Sequence, residues 1–235
     1  LGYVHTIGSQ VGIVYGGSLE SPSILADAVH ARLRECGEDD VDRVVFQTFA
    51  WFAVECDRRS GTAWISEMTV NDLVGEIDKV LRIGDTREDR YFNSTKYAPW
   101  RNWIEFTGLA TPLARITDFH PYIAERLNRE VHEVGRELGF ERDIDIDEVL
   151  LSLARRMPYL DGGRVFNALC RKSAWNPPET QISYLLSDGL RELNEMGAIE
   201  ISSLGDARGI RTLTPDETSP IRTVKMIKIN RGVLG

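Results

Sequence analysis

The sequence predicts a mainly α-helical chain with small β-hairpins, an α+β protein in which two helix–helix–hairpin units are joined by a helical linker region. Three observations predict it. Apolar residues recur at three- and four-residue spacing in segment after segment of the 235 residues, as amphipathic helices require. A strand of alternating character, Thr223-Val-Lys-Met-Ile-Lys-Ile229, returns after a second apolar strand at 198–201. The order helix, helix, hairpin occurs once before residue 120 and again after residue 160. These features divide the chain into an N-terminal domain at 19–120, a helical linker at 121–160 and a C-terminal domain at 161–235.

The elements follow in order. Leu1 to Ser18 is Gly-rich and apolar but has no basic start or cleavage site, so no signal peptide is expected. Ser23 to Cys36 is a helix reached through Ser21-Pro-Ser23, with Ile24, Leu25, Ala28, Val29 and Leu33 apolar. Val41 to Cys56, rich in Val and Phe, is a deeply buried segment, and Ala63 to Met68 reads as a short strand. Thr69 caps a helix through Leu81, with Asn71 and Asp72 in its first turn, where a carboxylate suits the helix dipole. Ser94 or Thr95 starts a helix carrying Trp100, Trp103, Ile104 and Thr107. Gly108 ends it, and Leu109 to Ile116 follows as a small hairpin. Trp100 and Trp103, three apart, are expected in the core, with Lys96 and Arg101 exposed. The linker holds helices at Pro121–Leu138 and Asp147–Arg156.

From Gly163 the pattern tightens. Gly163 to Lys172 is a helix, Trp175-Asn-Pro-Pro-Glu179 a turn, and Ser187 to Met196 a second helix stopped by Gly197. Strands at Ala198–Ile201 and Thr223–Ile229 flank a polar tip. The stretch 163–230 resembles the winged helix-turn-helix superfamily, and with the earlier unit it implies tandem winged helix domains. The second helix and the hairpin of such a domain form the usual face for nucleic acid or a partner.

Charge narrows the partners. The net charge is −8, which argues against a generic nucleic-acid coat. The last 31 residues nevertheless set Arg208, Arg211, Arg222, Lys225, Lys228 and Arg231 against Asp206, Asp216 and Glu217, a net of +3. Arg208, Arg211, Arg222, Lys225 and Lys228 are therefore candidate phosphate contacts, or they merely solvate an edge hairpin. The helix 187–196 offers only Arg191 against Asp188, Glu192 and Glu195, which disfavours DNA and favours a protein partner. Lys96, Arg101 and Asn102 form a second candidate DNA-binding group, with Tyr97 as a stacking platform.

Catalysis and cofactors find no support. Asp143-Ile-Asp-Ile-Asp-Glu148 lacks the glycine and the final glutamate of a calcium loop. His132-Glu133 has no second histidine, and the four histidines are scattered, so no metal site is expected. Gly16-Gly17-Ser18 and Gly162-Gly163-Arg164 have neither phosphate-loop nor dinucleotide spacing. Cys36, Cys56 and Cys170 make no CxxC and no disulfide framework, which fits a reducing cytoplasm. No apolar run is long enough for a membrane span.

The string Phe92-Asn-Ser-Thr-Lys-Tyr-Ala-Pro-Trp-Arg-Asn-Trp-Ile-Glu-Phe-Thr-Gly-Leu109 resembles DpdG-like proteins, encoded in bacterial DNA-modification and phage-defence gene clusters. That resemblance implies a non-catalytic DNA-binding or adaptor subunit of a defence complex, working beside helicases and nucleases. A free-standing winged-helix transcriptional regulator and a purely protein–protein scaffold are the alternatives.

Overall fold

The computed structural model describes residues 21–37, 40–82, 91–111, 119–203 and 209–232, together with the backbone of 3–7 and 10–14. Those two short stretches are antiparallel strands β1 (Tyr3–Ile7) and β2 (Gln10–Val14), with Tyr3 opposite Val14. Helix α1 (Pro22–Arg34) starts on its proline, whose missing N–H is no loss at the first position, and buries Ala26, His30 and Leu33.

Helix α2 (Arg43–Arg58) is the centre of the packing. Every residue from Phe49 to Asp57 is buried, and the continuous apolar run Phe49–Val54 has to be enclosed on all sides. Phe52 lies stacked with Trp100, ring centroids 5.3 Å apart, and tilted against Phe119 at 4.7 Å. Residues 63–67, expected as a strand, are instead the short helix α3 (Ala63–Glu67). Trp64 and Ile65 are adjacent and both buried, which a strand covered on only one face cannot provide. The Trp64 indole also donates to the Gly61 carbonyl at 2.9 Å.

Helix α4 (Val70–Leu81) has the predicted Thr69 cap, completed by Asp72 as a reciprocal capping box. Helix α5 (Ser94–Phe106) is capped by Asn93, one residue before the expected caps, and ends at Gly108 with φ +78°. Beyond it, Leu109 and Thr111 pair by backbone hydrogen bonds with Tyr122 and His120. The rest of the hairpin expected at 109–116 lies outside the described residues.

Helix α6 (Ala124–Leu138) leads to β3 (Asp143–Asp145) and α7 (Ile146–Arg156). β3 has no sequence signal, because a three-residue strand with one buried residue, Ile144, is lost between aspartates. Asp145 caps α7 by accepting from the Asp147 N–H at 2.9 Å, so this acidic run is spent on a helix start. Helix α8 (Arg164–Lys172) begins at Gly163, where a Cβ would overlap the Pro158 backbone. Helix α9 (Tyr184–Glu195) starts three residues before the predicted helix and buries Leu185 and Leu186 there.

The C-terminal strands are β4 (Ile199–Ser202), β5 (Arg211–Thr212), β6 (Thr223–Val224) and β7 (Met226–Ile229). β7 is the middle of a three-stranded sheet: Ile227 faces Ile201 of β4 on one side and Ile144 of β3 on the other. The return strand breaks at Lys225, so β6 pairs with β5 while β7 pairs with β3 and β4. One apolar cluster runs from Leu33 to Ile229. The fold is thus mainly helical with small antiparallel sheets, an α+β chain. Among the described residues, no helix is long and apolar enough to cross a membrane.

Candidate nucleic-acid and partner interface

The hairpin cations are largely engaged within the fold. Arg208 lies outside the described residues. Arg211 on β5 donates from Nε to Asp147 at 2.8 Å and from Nη1 to the Glu179 carbonyl. Lys225 pairs with Asp145, whose carboxyl is held below its usual range by that ammonium. Lys228 pairs with Glu200 across β7 and β4 at 2.8 Å. Arg222 is exposed, and among the described residues it has no ion pair. The positive balance read along the hairpin is therefore offset by carboxylates that arrive from β3, α7 and β4. Exposed pairs are weak and a phosphate can compete for the cation, but the local field is close to neutral.

The α9 surface is worse suited to DNA. Arg191, its only base, is 4% exposed and spends its guanidinium on the Thr214 and Ile221 carbonyls. It anchors the 214–221 segment rather than facing solvent. The helix packs against α2, α6 and β4. At Gly189 an added Cβ would come within 2.9 Å of Leu127 and 3.0 Å of Ile123, so α9 and α6 approach closely. Its outward residues, Asp188, Glu192 and Glu195, are acidic, and Glu192 accepts from the Tyr122 hydroxyl at 3.0 Å.

On α5 the expected group is not assembled. Lys96 and Asn102 are exposed, and the Lys96 ammonium donates to the Tyr91 carbonyl at 2.9 Å. Arg101, expected at the surface, is buried and pairs with Glu105 at 2.9 Å. Trp100 is core, donating to the Val45 carbonyl at 3.0 Å, whereas Trp103, also expected in the core, is 48% exposed. The buried stripe runs Tyr97, Trp100, Arg101, Ile104. A step of three residues carries Trp103 past its edge, where its ring meets Phe106 edge-on.

Two buried polar constellations escape sequence reasoning, because their members lie far apart in the chain. In the first, His30 of α1 hydrogen-bonds the Tyr159 hydroxyl at 2.8 Å and faces Glu130 of α6 at 3.4 Å. Arg126 closes the group, donating to Thr107 and Asp27 and lying 3.5 Å from Glu130. Burial, then Arg126, Arg34 and Arg129, push the His30 pKa well below its ordinary value. Burial raises Glu130 and drives Tyr159 well above the usual phenol range. The visible signal is a histidine in an apolar helix stripe, together with Arg and Glu four apart on the buried face of α6.

A pH dependence follows. The fold holds His30 neutral, while the unfolded chain protonates near the ordinary histidine value of about 6.5. Its contribution is complete above about pH 6.5 and is lost as pH falls from there toward the depressed folded value. Glu130, which burial raises, acts in the opposite sense, and the part that His30 contributes is destabilising as pH falls. Between pH 7 and pH 5 the native protein should lose more melting temperature than His30→Gln does. Equal slopes for the two proteins would reject the assignment.

The second constellation serves the N-terminus of α9. Asp57 of α2 accepts from the Tyr184 N–H at 3.1 Å and the Trp175 indole at 3.0 Å. Asp161 accepts from the Ser183 N–H at 2.8 Å and from its hydroxyl. Burial raises the pKa of both carboxyls. Two carboxylates from elsewhere thus satisfy donors that a helix start leaves free, at its positive end. Beside Asp161 opens a cavity of about 360 Å³, walled by Leu150, Leu151 and Ala154 of α7, Phe166 and Asn167 of α8, and the segment 177–182. All three cysteines are free and buried, and burial pushes Cys36 and Cys170 up to about 11.

Among known families, the profile described as DpdG-like matches residues 66–207, more than half of the chain. The matched span includes α9 and every cavity wall except Arg211. No curated protein and no solved structure matches the chain.

Proposed function

We propose that this chain, which belongs to the DpdG-like family, is a non-catalytic adaptor subunit of a bacterial defence complex in the cytoplasm, with DNA contact confined to its C-terminal hairpin. One observation carries the choice of adaptor over DNA reader. The helix that would read a groove, α9, is packed against α2, α6 and β4, and its two exposed residues, Asp188 and Glu195, are both carboxylates. The order α9, β4, β7, with β3 on the far side of β7, supports a winged-helix reading of the C-terminal unit, extended at its start to take in β3. In that reading the wing meets phosphate through Arg222 and the cations that exchange internal carboxylates for it.

A titration on several unrelated duplexes at two salt concentrations tests this. The chain alone should bind weakly, without sequence preference, and with a log K against log salt slope no steeper than about two units. Arg222→Ala with Lys228→Ala should weaken binding equally on all duplexes and remove most of that slope. A strong preference for one sequence, together with a symmetric dimer, would instead establish a free-standing regulator. Complete absence of DNA binding would leave a pure scaffold. Purifying the complex from cells that express the whole gene cluster tests the adaptor role directly.

A further inference from the structure

We infer that the cavity between α7, α8 and the 177–182 segment is a docking site for a basic side chain flanked by apolar residues on a partner protein; the inference rests on the adaptor reading. Leu150, Leu151, Ala154, Phe166 and Ile182 give the cavity an apolar side, and Leu151 there is 63% exposed, one of the most open large apolar side chains described. A volume of about 360 Å³ accommodates one long side chain and part of its neighbours.

The charge of the lining selects the occupant. Asp161 is hydrogen-bonded to Ser183, but among the described residues it has no cationic partner, and Asp57 adds a repulsive charge nearby. Glu179 contributes a second carboxylate that has no ion pair among the described residues. Arg211, the only lining cation, is already held by Asp147 and by the Glu179 carbonyl. An arginine or lysine head beside Asp161 would neutralise a partly desolvated carboxylate, where an ion pair is stronger than at an open surface. Its apolar flanks would cover Leu151. Phosphate or an acidic peptide would meet the same carboxylates as repulsion, which sets the specificity.

The probe is N-acetyl-Leu-Arg-Leu-Arg-Leu-amide, added to the full chain with methyl resonances of Leu151 and Ile182 observed, against the peptide with Glu in place of Arg. The basic peptide should give saturable shifts at both methyls and the acidic one none. Leu151→Lys and Glu179→Lys, both at exposed positions, should each weaken binding about tenfold with an unchanged melting temperature, equivalent to about 1.4 kcal/mol. No shift with the basic peptide, equal shifts with both, or unaltered binding by the variants would overturn the site. The two readings fail separately. A complex that assembles with Leu151→Lys as with the native chain removes the docking site and leaves the adaptor. A chain that binds the peptide but joins no complex removes the adaptor and leaves the site.

Discussion

Arg126→Ala should destabilise the protein by about 3–5 kcal/mol, the usual result of removing one member of a buried ionic group. Arg126 is 1% exposed, and its three engagements come from three places: the Thr107 carbonyl at 2.7 Å, Asp27 at 2.6 Å and Glu130 at 3.5 Å. Its loss leaves Glu130 buried without its guanidinium, so that carboxyl must take up a proton or remain an uncompensated charge, and burial still opposes a protonated His30 beside it. For a chain of this size the melting temperature should drop by about 6–20 °C. A second variant separates charge from packing. Arg126→Met with Glu130→Leu replaces the pair by apolar groups of similar size and should recover much of the loss. A single variant within about 1 kcal/mol of the native protein, by urea denaturation, would show that Asp27 and solvent already carry the charge.

Leu190→Ala should cost about 2–5 kcal/mol, transfer and cavity terms together. Leu190 is fully buried on α9, the helix that touches α2, α6 and β4. The control is Leu151→Ala, the same chemistry at a site 63% exposed, which should change stability by no more than about 0.5 kcal/mol. Equal small effects in the two variants would mean that α9 is not a core helix, and with it the account of an enclosed acidic helix would fall.

Much of the helical skeleton is legible in the residues because its determinants are local. Thr69 and Asp72 announce α4 by their own hydrogen bonds, and Gly108 and Gly197 stop their helices at positive φ. The helix of 63–67 was not legible: five residues give too short a window to tell a turn of helix from a strand. β3 exists only because β7, more than eighty residues later, pairs with it. The surroundings of the candidate site were hidden for the same reason. Counting charge along 205–235 treats the hairpin as isolated, but Asp145, Asp147 and Glu200 reach its cations through tertiary structure. Trp103 and Arg101 exchanged their expected environments because three-residue spacing marks a helix face only to within its edges. Asp57 and Asp161, which fix the start of α9, sit in sequence contexts with no motif.

The pairing of β7 also has a consequence in time. Synthesis runs from the N-terminus, so β3 and β4 emerge before the strand that joins them, and neither pairs with the other. Until residues 226–229 have been made, each offers an open edge, and the ammonium of Lys225 that meets Asp145 at the start of α7 is also missing. The helices can gather early around α2, but the sheet closes only after the chain has passed Ile229. Completion of this half of the molecule is therefore an event that follows translation of its last described strand, and a nascent chain halted short of that point carries two templates for mispairing.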